Sequence, residues 1–211
     1  MAEATELYDA ILRGDAKKAE EVANATLADG IDPSELLSKY MIPAMDEVGR
    51  RFECNEYFVP ELLIAARAMK QALIILTPKL AESGVEAAGR VVIGTVKGDL
   101  HDIGKNLVAS MLEGGGFEVV DLGVDVPVEK FVEAVKEKEG CVLALSALLT
   151  TTMTMMKTVI EAIEQAGLRE STKIVIGGAP ITQQFADEIG ADGYGDNASS
   201  AVSIARKLVV G

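Results

Sequence analysis

The chain of 211 residues carries a single histidine, His101, and Asp99 stands two residues before it in the stretch Val96-Lys97-Gly98-Asp99-Leu100-His101-Asp102-Ile103-Gly104-Lys105-Asn106. In an extended or turning loop, a carboxylate at that spacing reaches one ring nitrogen and leaves the other aimed outward. A carboxylate-held imidazole is the arrangement that keeps a metal-ligating histidine in one tautomer and raises its basicity. Gly98 and Gly104 let the backbone bend and a bulky ligand come close. The plain alternative is a loop histidine with no chemistry; the Gly-Asp-x-His-x-x-Gly setting weighs against it. No G-x-S-x-G elbow supports a hydrolase triad. No further His or Cys near His101 completes a zinc site. Cys54 and Cys141 lie far apart without a C-x-x-C pair, so neither a disulfide framework nor a zinc knuckle is indicated.

Two kinds of periodicity surround this loop. Up to about residue 82, apolar residues recur at helical spacing: Leu37, Met41, Met45, Val48 and Phe52 form one stripe, and Leu62, Ala66, Met69, Leu73, Leu76 and Leu80 another. Gly14-Asp15 reads as a helix stop and a new N-cap, and Asp32-Pro33 as a second cap with proline in the first turn. The pattern predicts four helices, near 3–13, 15–29, 33–53 and 59–82, with short loops suited to an antiparallel bundle. Residues 83–89 read as a linker and a plausible hinge, which sets the expected domains at 1–88 and 89–211.

After residue 90 the chain changes to almost continuously apolar β runs, at 90–96, 117–122, 141–148 and 173–178, with a weaker fifth at 191–195. Helical stretches follow near 103–114, 128–139, 152–166, 180–189 and 197–210. Such runs predict strands buried on both faces. The fold expected is an α/β doubly wound parallel sheet, flavodoxin-like and five-stranded, preceded by a four-helix bundle. His101 then falls at the carboxyl edge, where such sheets bind ligands.

The formal net charge is −13, spread evenly over both halves, which argues against nucleic acid as a partner. The N-terminal residues lack the basic and apolar regions of a signal peptide, and no apolar run is long enough for a membrane span. The expectation is a soluble, cytoplasmic protein.

Asp99-x-His101-x-x-Gly104 resembles the cobalamin-binding motif of B12 proteins that hold the cofactor base-off and His-on. Ser146-Ala147-Leu148, followed by Leu149-Thr150-Thr151-Thr152, is similar to that family's Ser-x-Leu segment, and Gly177-Gly178 to its paired glycine. The steps are 42 positions from Gly104 to Ser146 and 31 from Ser146 to Gly177. Ile42–Glu53 with Tyr57–Leu63 resembles the helical cap of methyl-carrying corrinoid proteins of three-component methyltransferase systems; methionine synthase has a similar module. One departure is Cys54-Asn55, where related chains often carry an acidic or glycine-containing turn.

That resemblance implies roles. His101 would supply the lower axial nitrogen to cobalt, with Asp99 accepting from its other nitrogen and Thr152 extending the relay. Gly98, Gly104, Ser146, Leu148, Thr150, Gly177 and Gly178 would line the cofactor and its displaced nucleotide tail. Phe52, Phe58, Val59 and Leu62 would cap the upper corrin face, although such stripes are usually bundle core. Val124–Pro127 would join the rim, or be a plain loop. A solitary histidine fits a metal whose other ligands come from a macrocycle.

The implied function is a corrinoid methyl carrier, itself a non-catalytic subunit. It would accept a methyl group on Co(I) from a substrate-specific methyltransferase and pass it to a second methyltransferase acting on coenzyme M or tetrahydrofolate. A reductive activase would be a further partner. The rivals are the B12 subunit of an adenosylcobalamin-dependent mutase and a cobalamin-binding sensor. The helical N-terminal half favours the carrier over the mutase subunit, and the acidity counts against a DNA-binding sensor. The sequence leaves open the methyl donor, the acceptor, the lower-base variant, the oligomeric state and any role for Cys54.

Overall fold

A computed structural model of the protein describes residues 2–82, 88–137 and 140–210. Most of the expected linker, residues 83–87, lies outside them. The described residues fall into two compact units; the first holds the N-terminal helices and also takes in residues 113–116, and the second holds the sheet with its helices.

In the first unit, α1 (Ala2–Leu12), α2 (Ala16–Ala28), α3 (Pro33–Leu36), α4 (Ile42–Glu53) and α5 (Val59–Glu82) form the bundle. Gly14 turns the chain after α1 at φ +72°, and Asp15 caps α2 by accepting from the Lys18 backbone N–H at 3.0 Å. Asp32 caps α3 in the same way through Ser34, at 2.7 Å, with Pro33 in the first turn. The third expected helix is continuous from residue 33 to 53 but carries a π-helical turn at Leu37–Met41. Pro43 lacks an N–H and its ring crowds the carbonyl four residues back, so the preceding turn widens; the Ile42 N–H bonds instead to Leu37. The extra residue shifts the buried stripe. Leu36, not Leu37, is fully buried, followed five residues later by Met41 and then by Met45 and Val48. Facing them in the core are Leu7, Ile11, Val22, Leu62, Met69 and Leu76.

The second unit alternates strand and helix: β1 (Arg90–Thr95), α6 (Ile103–Gly114), β2 (Glu118–Asp121), α7 (Val128–Lys136), β3 (Val142–Ser146), α8 (Thr154–Gln165), β4 (Lys173–Gly177), α9 (Gln183–Ile189), β5 (Gly193–Gly195) and α10 (Ala198–Val210). All pairings are parallel, in the order β2-β1-β3-β4-β5, which is the flavodoxin-like order. Val92, Leu143, Leu145, Ile174 and Ile176 join Phe131, Met156, Val159 and Ile163 in one core, and α10 packs on β3, β4 and β5. Gly94 makes room for Phe131, whose ring would lie 2.8 Å from a Cβ there. Two helices start later than the pattern predicts. α8 begins at Thr154, so Thr152 sits in the turn before it, and α9 begins after Thr182, whose hydroxyl caps Phe185.

Candidate functional site

Sheet register builds the site. Thr95 pairs with Ser146, Ser146 with Gly177, and Gly177 with Gly195, so one row across β1, β3, β4 and β5 marks the carboxyl edge. The order reverses between β1 and β3, and the crevice outside that reversal is where such sheets bind ligands. The loop after β1 leaves there. Its first turn closes from the Asp99 N–H to the Val96 carbonyl at 3.1 Å, with Gly98 at φ +84° in the position that needs a left-handed residue. The Thr95 hydroxyl donates to the His101 carbonyl at 2.9 Å and fixes the loop's far end.

Asp99 is fully buried and receives five hydrogen bonds. Oδ1 accepts the His101 backbone N–H at 3.1 Å and faces His101 Nδ1 at 2.7 Å. Oδ2 accepts from Leu148 N at 2.8 Å, Leu149 N at 3.3 Å and the Thr152 hydroxyl at 2.7 Å. Burial pushes the Asp99 acid upward, but the bonds from Thr152, Leu148 and His101 outweigh it and hold the carboxyl well below the usual range. An ionised carboxylate only accepts, so Nδ1 carries the ring proton and Nε2 presents its lone pair. The ring is half exposed, at 50% of its side-chain area. Leu100, Leu148 and Leu149 on the two loops, and Ile103 at the start of α6, are large apolar side chains left exposed.

The glycines divide into two kinds. At Gly178, φ is +133° and a Cβ would stand 1.8 Å from the Ala147 carbonyl oxygen. At Gly177 a Cβ would stand 2.9 Å from the Gly195 carbonyl oxygen. This pair is required by the packing of β4 against its own neighbours. Gly104 is the opposite case: a Cβ there meets nothing within 4 Å, so the protein's own packing does not demand the glycine. Gly98 serves the turn described above.

Ser146 ends β3 half-buried, and Thr150 is exposed in the following turn. In the helical unit, Phe58 and Val59 are exposed at the start of α5, Phe52 is half-buried in α4, and Leu62 is fully buried. Of these four, Phe58 and Val59 are the exposed ones, and Leu63, Ile64 and Ile74 of α5 are exposed as well. Cys54 is exposed and Cys141 buried.

Sequence reasoning missed several contributors. Backbone N–H groups of Leu148 and Leu149 carry no residue signature. Asp125 lies in the Val124–Pro127 segment expected at the rim, but its contacts carry no sequence signature: at φ +51° it accepts the Gly98 N–H at 2.8 Å and meets Lys97 Nζ at 3.1 Å. Lys105, nearly buried in the first turn of α6, pairs with Asp121 at the end of β2 and donates to Asn106 Oδ1 at 2.7 Å.

Among the described residues no group of three or more His, Cys, Asp or Glu could hold a metal ion. The residues do fit a metal that brings its own equatorial ligands: one outward Nε2, an open position at Gly104, and exposed apolar side chains beside them. Two family matches, each described as a B12 binding domain, cover residues 89–203 and 3–77. The chain is 49% identical over 197 residues to the trimethylamine corrinoid protein of Methanosarcina barkeri, spanning 92% of this chain and 91% of that one. It resembles a cobalamin-binding protein of Desulfitobacterium hafniense at TM-score 0.81 and 35% identity, covering 97% and 98% of the two chains. It also resembles the structure of the methanol:cobalamin methyltransferase complex of Methanosarcina barkeri at TM-score 0.86 and 31% identity, covering all of this chain and 80% of that one. The chain belongs to the B12-binding corrinoid proteins.

Proposed function

We propose that the protein is a methyl carrier that holds a corrinoid through His101 Nε2, base-off and His-on, and works between methyltransferases. The observation that carries this reading is the 2.7 Å contact between Asp99 and His101 Nδ1, made by a carboxylate that is itself fully buried. A bound corrinoid supplies the cobalt that takes up and releases the methyl group. The protein's part would be to hold the group through His101 Nε2 and to set the basicity of that nitrogen. Asp99 does the second: drawing the Nδ1 proton toward Oδ1 makes Nε2 a stronger donor, and returning it makes Nε2 a weaker one. The Thr152 hydroxyl, bonded to the other oxygen of Asp99 and 3.0 Å from the Leu149 carbonyl, tunes the same charge by choosing which acceptor it serves.

Leu148, Leu149, Leu100 and Ile103 would cover the lower face of the macrocycle, and Gly104 leaves room for it. Ser146, Thr150, Gly177 and Gly178 would line the path of the nucleotide tail, and Phe58 and Val59 are the candidates for the upper face. The trimethylamine corrinoid protein supports a methylamine as the donor served by the first methyltransferase. The second methyltransferase, a reductive activase and a cytoplasmic setting complete the proposal. No helix of the described residues is long and apolar enough to cross a membrane.

The test is reconstitution of the full chain with cob(II)alamin, read by electron paramagnetic resonance. Nitrogen splitting from one axial imidazole is expected, and its loss in His101→Ala. Failure of the wild-type chain to take up cobalamin overturns the proposal; unchanged splitting in His101→Ala overturns the ligand.

A further inference from the structure

Asp125 holds an uncommon backbone conformation for a residue with a side chain, φ +51°, and Gly123 two positions earlier shows that this loop can place glycine where the left-handed region is needed. Aspartate at 125 therefore calls for a reason in its side chain. That side chain crosses from the β2–α7 loop to the β1–α6 loop. Its Oδ1 accepts the Gly98 N–H at 2.8 Å, and its carboxylate pairs with Lys97 Nζ at 3.1 Å. Its own backbone N–H donates to the Asp99 carbonyl at 2.9 Å. Adjacent to these, Val96 and Val126 form a parallel bridge, and the Val126 N–H reaches the Thr95 carbonyl at 3.0 Å. Both ends of the Gly98–Asp99 peptide segment are thus held by one residue of another loop.

We infer that Asp125 is the positioning residue of the Asp99–His101 pair: it clamps the turn that carries Asp99, and through Asp99 it sets the orientation of the imidazole. The inference rests on the reading of His101 as the axial ligand. Asp99 is gripped on its side chain from β3, through Leu148, Leu149 and Thr152, and on its main chain from the β2 side, through Asp125. A carboxylate anchored from only one side could still accept these bonds, but the short 2.7 Å geometry to Nδ1 needs both the backbone and the side chain fixed. The ion pair with Lys97 is half exposed and contributes little by itself; the bond to the Gly98 N–H is the directional element.

Glycine separates positioning from folding, because it accepts φ +51° freely while removing the carboxylate. The histidine is unique, so ring nitrogen NMR of the full chain without corrinoid reads His101 alone. Wild type is expected to show one dominant tautomer protonated at Nδ1. Asp125→Gly is expected to melt at or above the wild-type temperature, yet to lose that dominance by roughly tenfold in tautomer ratio, the size of one charge-assisted hydrogen bond. Asp125→Asn, which keeps an acceptor for Gly98, is expected to restore most of it. A wild-type tautomer ratio in Asp125→Gly overturns the inference, as does an equal loss in Asp125→Asn. Early melting of Asp125→Gly also overturns it, in favour of a purely structural role. None of these readouts involves cobalt. Failure here with intact His101-dependent splitting in the loaded protein would leave the ligand reading standing.

Discussion

Asp99 and Leu148 are 49 residues apart in sequence, yet Asp99 Oδ2 accepts the Leu148 N–H at 2.8 Å. The bond ties the loop after β1 to the turn after β3, on opposite sides of the point where strand order reverses. The other oxygen of the same carboxylate faces His101. The imidazole is therefore aimed by the sheet, because β1 and β3 are locked in register through Thr95 and Ser146 immediately before their loops diverge. A loop histidine gains in this way the precision of a residue on a regular element.

Removing the charge while keeping the shape tests how much this tie supports. Asp99→Asn turns an NH2 group toward at least one of five donors in a fully buried position, and is expected to destabilise the chain by about 3 kcal/mol. Thr152→Val removes one hydroxyl donor and no acceptor that the carboxylate needs, and is expected to cost about 1 kcal/mol. Urea unfolding of the chain without corrinoid checks the ranking. A Thr152→Val effect as large as that of Asp99→Asn would mean that the hydroxyl, not the array of N–H groups, holds the carboxylate.

Much of this was legible in the sequence, for identifiable reasons. Buried parallel strands need continuous apolar runs, so 90–96, 141–148 and 173–178 announced themselves, and Asp15 and Asp32 are capping residues whose chemistry is local. His101 stood out through its two-residue spacing from Asp99. The π-helical turn did not: it depends on how the helix relaxes around Pro43, and it moved the buried position from Leu37 to Leu36. The role of Thr152 depends on its lying before α8 instead of inside it. The contribution of Leu148 to Asp99 is a backbone N–H, which every residue but proline carries. Gly177 and Gly178 carry a demand that the sequence does not show: a Cβ at either would meet the backbone of Gly195 or Ala147.

Acid should weaken the two units through different carboxylates. In the helical unit, Glu47 is held down to about 2 by hydrogen bonds from Arg50 and then Arg51, which reach it at 2.7 and 2.8 Å. In the sheet unit, Asp99 is lowered by the bonds described above, against its burial. Both folded values lie below the ordinary ones, 4.5 for Glu47 and 3.8 for Asp99, so the folded state binds fewer protons in that range. The stabilisation is complete above pH 4.5 and falls as the pH drops, with the Glu47 share exhausted near pH 2. Glu47→Gln is expected to remove about 1–2 kcal/mol at neutral pH and to flatten the decline between pH 4.5 and 2. Melting temperatures across that range check it, and an unchanged slope would contradict it.

Surface exposure at Phe58 separates a cofactor-facing residue from a bundle residue. Phe58 is 60% exposed, so Phe58→Ala is expected to change stability by less than about 0.5 kcal/mol. If the side chain covers a bound corrinoid, the same variant speeds oxidation of the reduced, corrinoid-loaded chain by air, followed in visible absorbance. Leu62→Ala is the contrasting case: Leu62 is fully buried, and its loss should cost about 2–5 kcal/mol. A Phe58→Ala chain as damaged as Leu62→Ala would place Phe58 in the bundle's support instead.

The two classes of glycine give the sharpest separation of folding from binding. Gly178→Ala adds a Cβ 1.8 Å from the Ala147 carbonyl at a φ of +133°, so it is expected to cost more than about 3 kcal/mol whether or not a corrinoid is present. Gly104 is the second residue of α6 and has open space at the Cβ position. There alanine improves helix propensity, and stability should rise by up to about 1 kcal/mol. The same methyl group enters open space three residues after His101, where a macrocycle held by that histidine would meet it. Corrinoid affinity in Gly104→Ala is expected to fall roughly tenfold, equivalent to about 1.4 kcal/mol, even as the melting temperature rises. Thermal melts and cobalamin titration of the same preparation measure both quantities. Equal affinity in Gly104→Ala and wild type would show that the cofactor does not pass over this turn, because nothing in the protein's own packing asks for glycine at that position.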